Sequence, residues 1–97
     1  MPLRRAPAVI LPPRLEGLTA LSNNLSWSWN RDARELFRAI DPPTWRRVRH
    51  NPIELLRETP PTRLMQLAQD PAFVQQYDRV MEWFATDQQV ERTWFAK

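Results

Sequence analysis

Apolar residues recur along this chain at helical spacing, and prolines mark where most of the runs begin. Leu15, Leu18, Leu21 and Leu25 fall three or four positions apart and predict a first helix over about residues 14–26. Ala33, Leu36, Phe37 and Ile40 repeat the pattern over 31–40. Asn30 is placed to cap that helix, and Arg31, Asp32, Arg34, Glu35 and Arg38 form its outer face. Four further starts are a capping residue followed by proline: Asp41-Pro42, Asn51-Pro52, Thr59-Pro60 and Asp70-Pro71. The cap's side-chain oxygen accepts free N–H groups of the first turn. Proline at the next position has no N–H to leave unpaired, and its φ is already helical. These pairs predict short helices near 42–48, 52–57 and 60–69. Trp45 and Val48 face inward in the first, Ile53 and Leu56 in the second, Leu64 and Leu67 in the third. Glu54 is placed to reach back and complete a capping box with Asn51. Asp70-Pro71 then opens the strongest stripe, Phe73, Val74, Tyr77, Val80, Met81 and Phe84, on one helix that either frays near Thr86-Asp87 or continues through Val90 and Trp94.

No segment shows sustained alternation, and the ten prolines argue against central strands. The expected fold is all-α, a small bundle of about five or six mostly short helices. Residues 1–13 hold four prolines and two arginines and read as an extended N-terminal arm, whose Val9, Ile10 and Leu11 can lie against another surface. Residues 14–97 read as a single helical domain.

Composition then removes most chemistries. The 97 residues contain no cysteine, one histidine and one glycine, Gly17. Disulfides, thiolate zinc sites, iron–sulfur clusters, a cysteine nucleophile, a multi-histidine metal site and a glycine-rich phosphate loop are all excluded. The longest apolar run, Ala8-Val9-Ile10-Leu11, is too short for a membrane span or the core of a signal peptide. A soluble cytoplasmic protein with no membrane partner is expected. Net charge is +3, but residues 1–50 carry nine arginines against four carboxylates, while residues 51–97 carry five basic residues against seven acids. The basic half, with Arg46, Arg47, Arg49 and His50, suits phosphate or an acidic partner surface. A solvated or partner-facing charge set is the preferred reading over a nucleic-acid footprint.

Two aromatic groups stand out. Trp27 and Trp29, in Ser26-Trp27-Ser28-Trp29-Asn30, offer either a stacking platform for a sugar face or core filling, and core filling is the commoner use of tryptophan in small helical domains. Trp94 and Phe95 are difficult to bury in so short a chain and point to a docking surface or to a chain that normally continues, with self-association as a further option. His50 reads first as a hydrogen-bonded turn residue, with phosphate contact as the alternative. Glu54 and Glu58, four apart, read as surface solvation rather than an acid–base pair. Ser26 and Ser28 show no base partner.

The order of these blocks resembles a known family. Asn24-Leu25-Ser26-Trp27-Ser28-Trp29-Asn30, Ala33-Arg34-Glu35-Leu36-Phe37, Ile40-Asp41-Pro42 with Trp45, and His50-Asn51-Pro52 with Leu55-Leu56 are followed by Asp70-Pro71 with Phe73, Asp78-Arg79-Val80 and Thr93-Trp94-Phe95. Together they are similar to the N-terminal helical domain, of unknown function, that precedes the catalytic region in one branch of bacterial and archaeal α-glucan phosphorylases. Ser26 departs from the family's usual tryptophan. The resemblance implies a non-catalytic accessory domain. In the whole enzyme, inorganic phosphate releases glucose 1-phosphate from an α-1,4-glucan with the help of pyridoxal phosphate. It implies no catalytic, cofactor or metal residue in this chain, and the catalytic region, with α-glucan, as partners. Candidate glucan or interdomain contacts are Trp27, Trp29, Asn30, His50, Trp94 and Phe95. The alternative is a stand-alone carbohydrate-binding or regulatory helical module.

Overall fold

The computed structural model describes the backbone of residues 10–95 and the side chains of residues 10–87. Six α-helices follow one another: α1 (Gly17–Ser22), α2 (Arg31–Ile40), α3 (Pro42–Arg47), α4 (Pro52–Glu58), α5 (Pro61–Ala68) and α6 (Pro71–Phe95). Short 3-10 turns, Pro13–Leu15 and Leu25–Trp29, flank α1, and no strand occurs among the described residues. The expected all-α bundle is the one observed.

The five helix starts expected from a capping residue follow that chemistry with one exception, and α1 opens at Glu16 with no side-chain cap. The Asn30 side chain accepts from Ala33 N at 2.9 Å, Asn51 from Ile53 N and Glu54 N at 3.0 and 3.2 Å, and Asp70 from Ala72 N at 3.0 Å. Asp41 accepts from Thr44 N at a longer 3.5 Å. Thr59 is the exception. Its hydroxyl donates to Leu55 O at 2.6 Å and so closes α4, while α5 opens on Pro60-Pro61 with no side-chain cap. Glu54 turns to Arg57, at 3.1 Å, rather than back to Asn51, so the capping box is half formed.

The expected first helix over 14–26 is broken. Asn24 adopts an extended φ of −112° and ψ of 132°, and its side chain accepts from Ser26 N at 2.8 Å. That local bond gives the backbone an alternative to continuing α1, which is why asparagine interrupts helices. Leu25 consequently leaves the leucine stripe and is 82% exposed. In α4 the inward residues are Leu55 and Leu56, while Ile53 is displaced to the surface. The long stripe of α6 holds: Phe73, Tyr77 and Val80 are buried, Val74, Met81, Trp83 and Phe84 half-buried, and the helix continues past Thr86.

Helix α2 is the hub. Its apolar face, Ala33, Leu36, Phe37 and Ile40, is fully buried, and it packs on α3, α5, α6 and the Leu25–Trp29 turn. Each such Leu, Ile or Phe contributes roughly 1.5–3 kcal/mol by leaving water. The last carbonyls of α2 receive Arg63 from α5: its Nε donates to Ile40 O at 2.8 Å and its Nη2 to Ala39 O at 3.3 Å, a cation at the negative end of the helix dipole. Across the core, Gly17 lets α1 approach α6 closely. Its N–H donates to the Tyr77 hydroxyl at 2.9 Å, and a Cβ there would lie 2.5 Å from Met81 Sδ and 2.6 Å from the hydroxyl. Burial pushes the Tyr77 phenol above its ordinary pKa, against the opposing pull of the Gly17 N–H and of Arg14. Arg14 sits 5.6 Å from the Tyr77 ring centre and pairs with Asp78.

Most of the expected arm, residues 1–9 including Val9, lies outside the described residues. Beyond it Ile10 is exposed, Leu11 packs partly against the core and Pro12 is buried.

Candidate functional site

At the end of the bundle formed by α2, α3 and the α3–α4 turn, four aromatic rings form a file from core to surface. Phe37 is fully buried and stacks on Trp45, with centroids 5.8 Å apart and planes 19° from parallel. Trp45 in turn stacks on the imidazole of His50, 5.1 Å away at 17°. Trp27 meets Phe37 and Trp45 edge-on, at 5.4 and 6.2 Å. Such pairs add about 0.5–1.5 kcal/mol each beyond area burial.

The backbone holds His50 there at a cost. After α3, Arg49 N donates to Arg46 O at 3.1 Å and His50 N to Trp45 O at 3.0 Å, while Val48 N bonds Thr44 O at 2.9 Å. This is a Schellman closure, whose left-handed position is usually glycine. Here Arg49 occupies it at φ 55°, and His50 follows at φ 62°. A left-handed conformation costs a side-chain-bearing residue roughly 1–2 kcal/mol.

Beside this turn opens a hollow of about 380 Å³ lined by Arg38, Pro42, Trp45, Arg46 and His50. Trp45, only 6% exposed, is part of its lining. The charge around it is positive. Arg38 has one exposed partner, Glu35, at 3.7 Å, and Arg46 has no carboxylate within 4 Å among the described residues. Arg47 turns away to bind Glu58 at 2.8 Å and Thr44 Oγ1 at 3.3 Å.

The structure separates the other sequence candidates. Trp27 belongs to the aromatic file, whereas Trp29 projects to solvent, 86% exposed, so the two rings do not share one platform. Asn30 uses its side chain to cap α2. Trp94 and Phe95 end α6, and their side chains lie outside the described residues. Glu54 and Glu58 are each engaged by an arginine. The Ser28 hydroxyl donates to Leu25 O, and the Ser26 hydroxyl is buried without a partner. The His50–Trp45 stack was not anticipated: the turn contains no glycine to announce a left-handed closure. Among the described residues no three His, Asp or Glu side chains are grouped to hold a metal, and no helix is long and apolar enough to cross a membrane.

Comparison with known proteins places these features in a family context. Residues 11–97 match the model of a family described as "Protein of unknown function (DUF3417)". The maltodextrin phosphorylase of Thermococcus litoralis is 43% identical over 86 residues, which are 89% of this chain and 10% of that protein. The glycogen phosphorylase of Mycobacterium tuberculosis is 44% identical over 70 residues, 72% of this chain and 8% of that protein. The glycogen phosphorylase of Aquifex aeolicus is 59% identical over 44 residues, 45% of this chain and 6% of that protein. The chain thus spans a tenth or less of the length of these relatives. No solved structure matches it.

Proposed function

The chain belongs to the DUF3417 family, and from that membership we propose that it is a non-catalytic N-terminal accessory domain of an α-glucan phosphorylase. The observation that carries this reading is the match of nearly the whole chain, at 43% identity, to a tenth of a maltodextrin phosphorylase. In the whole enzyme inorganic phosphate would cleave the terminal α-1,4 bond of a glucan and release glucose 1-phosphate. The work of this chain would be to pack on the catalytic region in the cytoplasm. Residues 14–97 would supply the helical unit and residues 1–13 an arm laid along that region. Trp29 and Leu25, exposed together on one 3-10 turn, are the apolar surface offered to the catalytic region.

The chemistry of the chain supports a non-catalytic role. Pyridoxal phosphate in this enzyme class needs a lysine amine, and the one lysine here, Lys97, lies outside the described residues. The side chains described do not fit that cofactor, which would belong to the catalytic region. Glu54 and Glu58, the clustered carboxylates, are each paired with an arginine. An immunoblot of source cells with an antibody against this chain tests the reading. It should detect a polypeptide several times larger than 11.6 kDa, and a single band at 11.6 kDa would contradict it.

A further inference from the structure

From the hollow at the α3–α4 turn we infer a binding site for a phosphate group, either free inorganic phosphate or a phosphate monoester. Arg38 and Arg46 reach it from two helices, and His50 from the turn between α3 and α4. Two guanidinium groups supply forked N–H donors suited to tetrahedral oxyanions, and the imidazole donates from at least one ring nitrogen in either protonation state. Nearby carboxylates do not neutralise them: Glu35 contacts Arg38 only at an exposed 3.7 Å, and Asp41 is turned to the Thr44 N–H.

The backbone supports the same assignment. Carbonyls at the end of a helix ordinarily repel an anion. Here those of Thr44, Trp45 and Arg46 each already accept an N–H from the turn. Two consecutive left-handed residues without glycine fix His50 on the face of Trp45. Strain of this kind concentrates where a side chain must be presented in one place. The nearly buried Trp45 lines the same hollow and gives its wall an apolar part. The inference is independent of the phosphorylase reading, because it concerns binding by this chain alone.

Amide-resolved NMR titration of the 97-residue chain decides it. Sodium phosphate, glycerol phosphate and, at matched ionic strength, sodium chloride are the probes. Phosphate is expected to shift the signals around Arg46–Asn51 saturably. Arg46→Gln and His50→Asn, asparagine being tolerant of left-handed φ, should each weaken binding about ten-fold, the scale of one charge-assisted hydrogen bond. Arg57→Gln, whose arginine is paired with Glu54, should change it by less than about two-fold. Tighter binding of glycerol phosphate assigns the site to an ester and equal binding assigns it to free phosphate; both support the inference. It is overturned if phosphate does no more than chloride, or if Arg46→Gln binds as the parent does. It is equally overturned if a glutamate-rich peptide saturates the site and phosphate does not, since the hollow would then serve an acidic protein surface.

Discussion

The two ends of the bundle are built on different physics. Along α1, and where α5 and α6 meet α2, order comes from aliphatic periodicity: Leu15, Leu18, Leu21, Leu64, Leu67 and Val80 are all buried, and Gly17 makes the close approach of α1 to α6 possible. At the α3–α4 end, order comes from a file of rings on a turn that two left-handed residues strain. The first arrangement contributes stability wherever it is tight. The second gives some stability back in order to hold His50 on the face of Trp45, beside Arg38 and Arg46. Such a cost is expected on a surface that meets something other than water.

Phe37 is common to both regions, so removing it should have the largest effect. Phe37→Ala is expected to lose about 3–5 kcal/mol in urea denaturation, through lost burial and the cavity left beneath Trp45. A loss below about 1 kcal/mol would mean that the ring file is not continuous with the core. The smaller effect has the opposite sign. Arg49→Gly should raise stability by roughly 0.5–1 kcal/mol, because relief at a left-handed position exceeds the extra entropy of an unfolded glycine. A destabilised variant in the same urea experiment would show that the turn is unstrained, and the contrast between the two ends would fail.

The aliphatic end was legible in the sequence because burial there follows the helical period, and α2 was readable to the residue from Asn30 to Ile40. What escaped sequence reading were bonds that compete with the period. Asn24 captures the Ser26 N–H and turns Leu25 outward, and Thr59 closes the helix before it instead of opening the next. Arg63 finds the end of α2 from 23 positions away, a partnership with no local signature. Of the candidate site, the sequence named Trp27, Trp29, Asn30 and His50, but not that His50 stacks on Trp45 or that Arg38 and Arg46 line the same hollow. Left-handed arginine and histidine leave no trace in a one-dimensional pattern that is read through glycine.

The central claim is that this chain serves as a domain of an α-glucan phosphorylase. Its most direct measurement is a segment exchange in the maltodextrin phosphorylase of Thermococcus litoralis, with the matched 86 residues replaced by this chain. Phosphorylase activity and thermal stability would be compared with those of the parent enzyme and of a version lacking the segment. Deletion is expected to impair the enzyme and the exchange to restore it. An exchanged enzyme no better than the deletion, or a deletion as stable and active as the parent, would contradict it.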